Sequence, residues 1–149
     1  MFWWTVRKLK GRNPESRLKA IEMLSRSRDP RANGWLLAAA FRSGGPYERF
    51  SEKQVRLKEQ HAAIKALGKL RDSRAMPHLL NALREGELAY WAADALSCFE
   101  EVPTAPLVAL LVDEKLGVRP KTSVMELLGK LGWKPGTATE SAWFYICQR

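Results

Sequence analysis

An all-α solenoid of about four stacked helical hairpins is the fold class this sequence predicts, and three observations carry it. Residues 20–40, AIEMLSRSRDPRANGWLLAAA, are rewritten at 63–83 as AIKALGKLRDSRAMPHLLNAL, 43 residues later, with ten of 21 positions identical. Every periodic apolar segment has a three-to-four spacing, and none alternates over the length of a strand. The chain has 149 residues, 46% hydrophobic and 28% charged, which are ordinary proportions for one globular domain. A lone helical hairpin cannot bury its apolar face, whereas stacked copies share one core, so such units occur in arrays. The chain therefore reads as a single repeat domain, 1–149, with an N-terminal cap helix at 1–12. Repeats lie at about 13–42, 52–84, 87–112 and 121–149, with an insertion loop at 43–51.

The first element, FWWTVRKLKG, reads as the last helix of an incomplete unit, with Phe2, Trp3, Val6 and Leu9 capping the apolar end of the array. Its aromatics beside Arg7, Lys8 and Lys10 also suit a membrane interface, but the segment is too short for stable anchoring. Asn13-Pro14-Glu15 opens the first complete hairpin, whose leading helix carries Leu18, Ile21 and Leu24 on one stripe. Asp29 then offers an acceptor to the free N–H groups of the second helix, and Pro30 suits a first helical position. Leu36, Leu37 and Ala40 form the inward stripe of that helix. Ser43-Gly44-Gly45-Pro46 is a loop, and Ser51 with Glu52 marks a capped helix start. The second hairpin repeats the stripes as Ile64, Leu67 and Leu70, then Leu79, Leu80 and Leu83. The third keeps Ala95, Leu96 and Phe99, with Pro106 where the second has Pro77, and the fourth returns in VMELLGKLG. After a Lys134-Pro135-Gly136 break, a cap at Thr139 introduces a helix bearing Trp143, Phe144, Ile146 and Cys147.

The stretch ALGKLRDSRAMPHLLNAL resembles the HEAT-like repeat of the phycobilisome-lyase type, whose consensus reads approximately ALG..GDPRAVP.L..AL. The resemblance runs over most of residues 14–132 and is strongest in the second copy. It implies a right-handed α-α superhelix whose second helices line a concave surface. Gly34 stands where that pattern has proline, and Glu101-Val102-Pro103 replaces Asp-Pro-Arg, so the third turn is expected to be less regular.

Charge is unevenly placed. Residues 1–60 hold 14 Lys and Arg against 6 Asp and Glu, a net +8, while the remainder holds 11 against 10, a net +1. Such asymmetry marks contact with nucleic acid, an acidic protein or an anionic surface, or a solvated basic face. No catalytic constellation accompanies it. His61 and His78 are the two histidines and have no partner at metal-site spacing, and nucleotide-binding glycine motifs are missing. Cys98 and Cys147, without a C-x-x-C, read as reduced, partly buried thiols, so neither a metal nor a cofactor is expected. HEAT-like alkylpurine DNA glycosylases use Trp and Asp in a basic channel, and Trp91 and Asp94 lie three apart here. Their wider motif is not recognisable, and core packing is the plainer role for Trp91.

The positions between the inward leucines of the second helices face a partner. They are Arg31, Trp35 and Arg42 in the first repeat, and Arg74, His78, Asn81 and Arg84 in the second. Trp and Arg dominate binding hot spots. The rival assignment packs Trp35 under the insertion and pairs the arginines with Asp29 and Asp72. The functional expectation is a non-enzymatic, cytoplasmic scaffold that binds a protein partner through its concave face. Phosphate-backbone binding by nucleic acid along the basic N-terminal half is the alternative, and a bilin-lyase-like accessory subunit is a third reading that rests on the resemblance alone.

Overall fold

A computed structural model describes residues 1–147. Among them the regular secondary structure is helical, and no helix is long and apolar enough to cross a membrane. The chain forms two compact units, one of Met1–Ala75 and one from Met76 onward. In the first unit α1 (Phe2–Leu9), α2 (Pro14–Ser25), α3 (Ala32–Ala40) and α4 (Phe50–Leu70) are followed by a 3-10 turn at Ser73–Ala75. The second holds α5 (Met76–Ala82), α6 (Ala89–Leu96), α7 (Thr104–Val112), α8 (Val118–Lys130) and α9 (Ala138–Cys147). Helical hairpins stack within each unit, which is the α-α arrangement the repeat predicts.

The predicted stripes are the core. Ile21 and Leu24 of α2, Leu36 and Ala40 of α3, and Ile64 and Leu67 of α4 are all buried, because α4 lies against both α2 and α3. Leu18, Leu37 and Leu70 are half-buried at the edges of the same stripes. In the second unit Leu79, Leu83, Leu96, Leu107, Leu111 and Leu128 are buried in the same way, with α8 packed on α6, α7 and α9. Burying a leucine side chain contributes about 1.5–3 kcal/mol, so these periodic positions supply most of what holds each unit.

The turns inside the repeat are built alike. Asp29 Oδ1 accepts from the Arg31 N–H at 2.9 Å, and Asp72 Oδ1 from the Arg74 N–H at 3.0 Å. Helix α3 begins only at Ala32, so Pro30 belongs to the turn ahead of it rather than to its first position. Asn13 caps α2 as expected, accepting from the Glu15 N–H at 2.9 Å. Two further local expectations shift. Helix α4 begins at Phe50, with the Arg49 N–H donating to Glu52 Oε2 at 3.1 Å, which places Ser51 inside the first turn instead of at the cap. Thr137, not Thr139, caps α9: its Oγ1 accepts from the Glu140 N–H at 3.2 Å while Glu140 Oε2 accepts from the Gly136 and Thr137 N–H groups. This is a T-x-x-E capping box, and only residue 137 stands three before the glutamate. Helix α8 closes with Gly132 at φ +71°, and the Trp133 N–H returns to the Leu128 carbonyl at 3.0 Å. That six-to-one bond needs a left-handed residue, which glycine takes without strain.

Two side-chain expectations differ as well. Val6 and Thr5 are the buried residues of α1, whereas Trp3, one turn before Val6, is 70% exposed in the first turn of the helix. The Cys98 thiol is exposed rather than partly buried. The Cys147 thiol lies outside the described residues.

Candidate functional site

Helix α3 buries Ala32, Asn33, Leu36 and Ala40, which leaves Trp35, Ala38 and Ala39 on its outer side, with Arg42 just past its end. In the first unit that face meets the end of α1 and the middle of α4 around an open cleft of about 260 Å³, walled by Leu9, Lys10, Trp35, Ala38, Ala39 and Arg42. Its floor is ionic. Glu59 of α4 is only 4% exposed, and its Oε1 accepts from Arg17 Nε at 2.8 Å and pairs with Arg17 Nη2 at 2.7 Å. Arg17 Nη1 is spent on the Gly11 and Arg12 carbonyls at 2.9 and 2.8 Å, which ties the α1–α2 connection to α4. Glu59 Oε2 accepts from Arg42 Nη2 at 3.1 Å, while half of the Arg42 side chain stays exposed. Lys10 Nζ stands 4.8 Å from the centroid of the Trp35 ring, a cation–π contact that holds the indole at the cleft wall.

A second layer fixes this floor. Gln60 Nε2 donates to the Arg42 carbonyl at 3.1 Å and Gln60 Oε1 accepts from Arg56 Nη1 at 2.9 Å. Arg56 also makes a two-bond fork with Glu48 of the insertion, both bonds 2.8 Å. The Arg56 guanidinium holds the Glu48 carboxyl below the usual range. The insertion is thereby bound to α4 through charge, and it does not lie over Trp35: Trp35 lines the α1-side cleft, while Glu48 lines a neighbouring groove of about 370 Å³ that shares Arg17 and Arg42.

Of the residues expected to face a partner, Trp35 and Arg42 meet in this cleft. Arg31 and Arg74 lie elsewhere in the unit, at the repeat turns. Arg31 Nε donates to Asp29 Oδ1 at 2.9 Å and Nη2 to Oδ2 at 2.6 Å, with its guanidinium 4.5 Å from the Phe2 ring centroid. Arg74 clasps Asp72 in the same fashion, with Nε to Oδ1 at 2.9 Å, and its Nη2 reaches the Pro30 carbonyl at 3.0 Å. The first turn is thereby stitched to the second. The side-chain bonds from Arg31 lower the Asp29 carboxyl from its ordinary 3.8 to about 2, and Arg74 lowers Asp72 in the same direction. In the second unit Asn81 and Arg84 line a shallow groove of about 250 Å³ with Pro77, Leu80, Pro106 and Leu110; Arg84 Nη1 lies 3.2 Å from Asp113 Oδ2. His78 is exposed on the same helix.

Lys10, Arg17, Glu59 and Gln60 were not legible as site residues. A faint signal existed: Gln60 precedes Ile64 by four and Leu67 by seven, so a polar residue falls on an apolar stripe, where burial demands a partner. Trp91 is half-buried, and Asp94 is solvent-exposed with Lys130 Nζ 3.9 Å from its carboxylate. Among the described residues no cluster of three His, Cys, Asp or Glu forms a metal-binding group.

Residues 59–85, which carry the end of α4, the Asp72 turn and α5, match the PBS lyase HEAT-like repeat. Over those residues the chain carries a HEAT-like repeat. No curated protein and no solved structure matches the chain. The matched HEAT-like repeat begins at Glu59, so the buried carboxylate under the cleft is also the first residue of the match.

Proposed function

We propose that this HEAT-like repeat protein is a non-enzymatic scaffold that grips a protein partner on the outward faces of its second helices, with the Trp35 cleft as the principal contact. The observation that carries the reading is the meeting of Trp35 and Arg42 in one open cleft over a buried, fully bonded ionic floor. Aromatic and arginine side chains held by rigid helices lose little conformational entropy on binding, which is why they concentrate binding energy. Asn81 on α5 and Arg84 just past its end offer a smaller polar surface of the same kind. An exposed free thiol at Cys98 fits a reducing, cytoplasmic setting.

Nucleic-acid binding remains the second reading because residues 1–60 carry a net +8. Three of the arginines in that segment are already paired: Arg17 with Glu59, Arg31 with Asp29 and Arg56 with Glu48. A paired guanidinium releases fewer counterions on meeting phosphate, so the pairing favours the protein partner. The test is affinity capture from the native cell with the intact chain and with Trp35→Ala, both checked for unchanged thermal melting. A partner retained by the native chain and lost with Trp35→Ala is the expected outcome. Equal retention by both would show that the cleft is not the contact.

A further inference from the structure

We propose that the Trp35 cleft receives an acidic side chain, aspartate or glutamate, from the partner protein, with an adjoining apolar residue of the partner against the indole; this rests on the protein-binding reading above. Three cations, Lys10, Arg17 and Arg42, line the cleft against the single carboxylate of Glu59. The imbalance calls for an anion. The three cations divide the work. Arg17, 14% exposed, spends its guanidinium on Glu59 and on the Gly11 and Arg12 carbonyls, so it supports the floor and is not available to a ligand. Arg42 gives Glu59 one contact at 3.1 Å and leaves half its side chain exposed, so a planar donor edge faces the opening. That edge fits a carboxylate in a two-bond fork. Lys10, fixed over Trp35, adds a second charge at the mouth.

The wall and floor choose the class of anion. Leu9, Trp35, Ala38 and Ala39 give the cleft an apolar wall, which suits a peptide with a carbon side chain next to its acid. Glu59 beneath Arg42 repels an incoming charge, and it repels a phosphate carrying up to two charges more than a singly charged carboxylate. A nucleic-acid backbone would also need a row of available cations leading away from the cleft. Arg56, beside the cleft, is closed onto Glu48, and Arg31 and Arg74, at the repeat turns, are closed onto Asp29 and Asp72. The site is also set before binding, because Gln60 holds the Arg42 backbone and Glu59 holds its side chain, so little ordering is left for the ligand to supply.

The experiment is selection of a random peptide library, displayed on phage, against the intact chain, followed by titration of the best peptide as a labelled synthetic probe by fluorescence anisotropy. The expected consensus places Asp or Glu beside an aromatic or aliphatic residue. Changing that acid to its amide, or Arg42→Gln in the protein, should each weaken binding by about tenfold or more, as loss of a charge-assisted bond does. Lys10→Gln should have a smaller effect, and Lys134→Gln, at an exposed position of the second unit, should have none. If Arg42→Gln disturbs the fold in thermal melting, the acid-to-amide peptide and Lys10→Gln still decide the matter. Neutral or basic peptides whose binding is lost with Trp35→Ala would overturn the acidic occupant while leaving the protein-binding cleft in place. Peptides indifferent to both Trp35→Ala and Arg42→Gln, or no enrichment at all, would overturn both. Duplex DNA that binds more tightly than the peptide and is lost with Arg42→Gln would replace the carboxylate by a phosphate.

Discussion

Asp29 and Asp72 each make one turn of the repeat by taking a backbone N–H and an arginine fork at once, and the fork leaves a titration signature. The Asp29 carboxyl falls from 3.8 to about 2, first through the Arg31 side chain and then through its backbone N–H. A lowered carboxylate favours the fold above its ordinary value, so this contribution is complete above about pH 4 and is lost as pH falls through about 2. In Arg31→Gln the side-chain bonds go and the backbone bond stays, so NMR titration should find the Asp29 carboxyl partway back toward 3.8. No change would assign the whole shift to the turn. Lys121 of α8 poses the opposite case. It is 2% exposed, its Nζ has no hydrogen-bond partner among the described residues, and it stands 3.3 Å from the centroid of the Trp143 ring. Burying an ammonium costs several kcal/mol, and a desolvated cation–π contact returns only about 2 kcal/mol. Lys121→Met keeps the length and drops the charge, so denaturant unfolding should show a gain of about 1 kcal/mol. A loss of that size would mean the aromatic face offsets the burial in full.

At the scale of helices and turns, the end of α4 holds a cost written in the chain. Arg71 sits at φ +51°, ψ +30°, the left-handed region that an L residue with a Cβ disfavours by about 1–2 kcal/mol. The family consensus places glycine at this position of the repeat. Glycine loses more freedom on folding, which offsets part of the gain, so Arg71→Gly should stabilise the chain by about 0.5–1 kcal/mol. An unchanged melting temperature would mean that contacts of the arginine compensate. The inward stripe is tested by Leu67→Ala, which removes a fully buried side chain between α2 and α3 and should cost about 2–5 kcal/mol. A cost under about 1 kcal/mol would sink the assignment of Leu67 to the centre of the core. Such stripes were legible because helix periodicity is local: Ile21 and Leu24 or Ile64 and Leu67 announce their own burial. The T-x-x-E box at Thr137 was equally local and was misassigned between two threonines two residues apart. The ionic floor was a different matter, since Arg17 and Glu59 stand 42 residues apart and neither position carries any mark of the other until α2 and α4 pack. Trp35 and Arg42 were found from one helix face, whereas Lys10 enters the cleft through a different element.

For the molecule as a whole, net charge and available charge are different quantities. The first 60 residues carry a net +8, and sequence alone cannot say how much of it meets a partner. Folding pairs several of its arginines locally, in the clasp Arg31–Asp29 and in the network Arg17–Glu59–Arg42 and Arg56–Glu48, which leaves the net charge as it is but occupies those guanidinium donors. The surplus raises the field around the molecule. A field of that kind speeds encounter with any polyanion and is screened within about 8 Å at physiological ionic strength. Duplex DNA should therefore bind the intact chain weakly at physiological salt, with affinity nearly indifferent to sequence and falling steeply between two salt concentrations in an anisotropy titration. A protein partner seated at Trp35 should behave otherwise, with moderate salt slowing association more than it weakens the desolvated contact. Submicromolar duplex binding at physiological salt, abolished by reversing the charges of Arg31, Arg42 and Arg74 together, would show that the clasps open for phosphate and would put nucleic acid ahead of the protein partner.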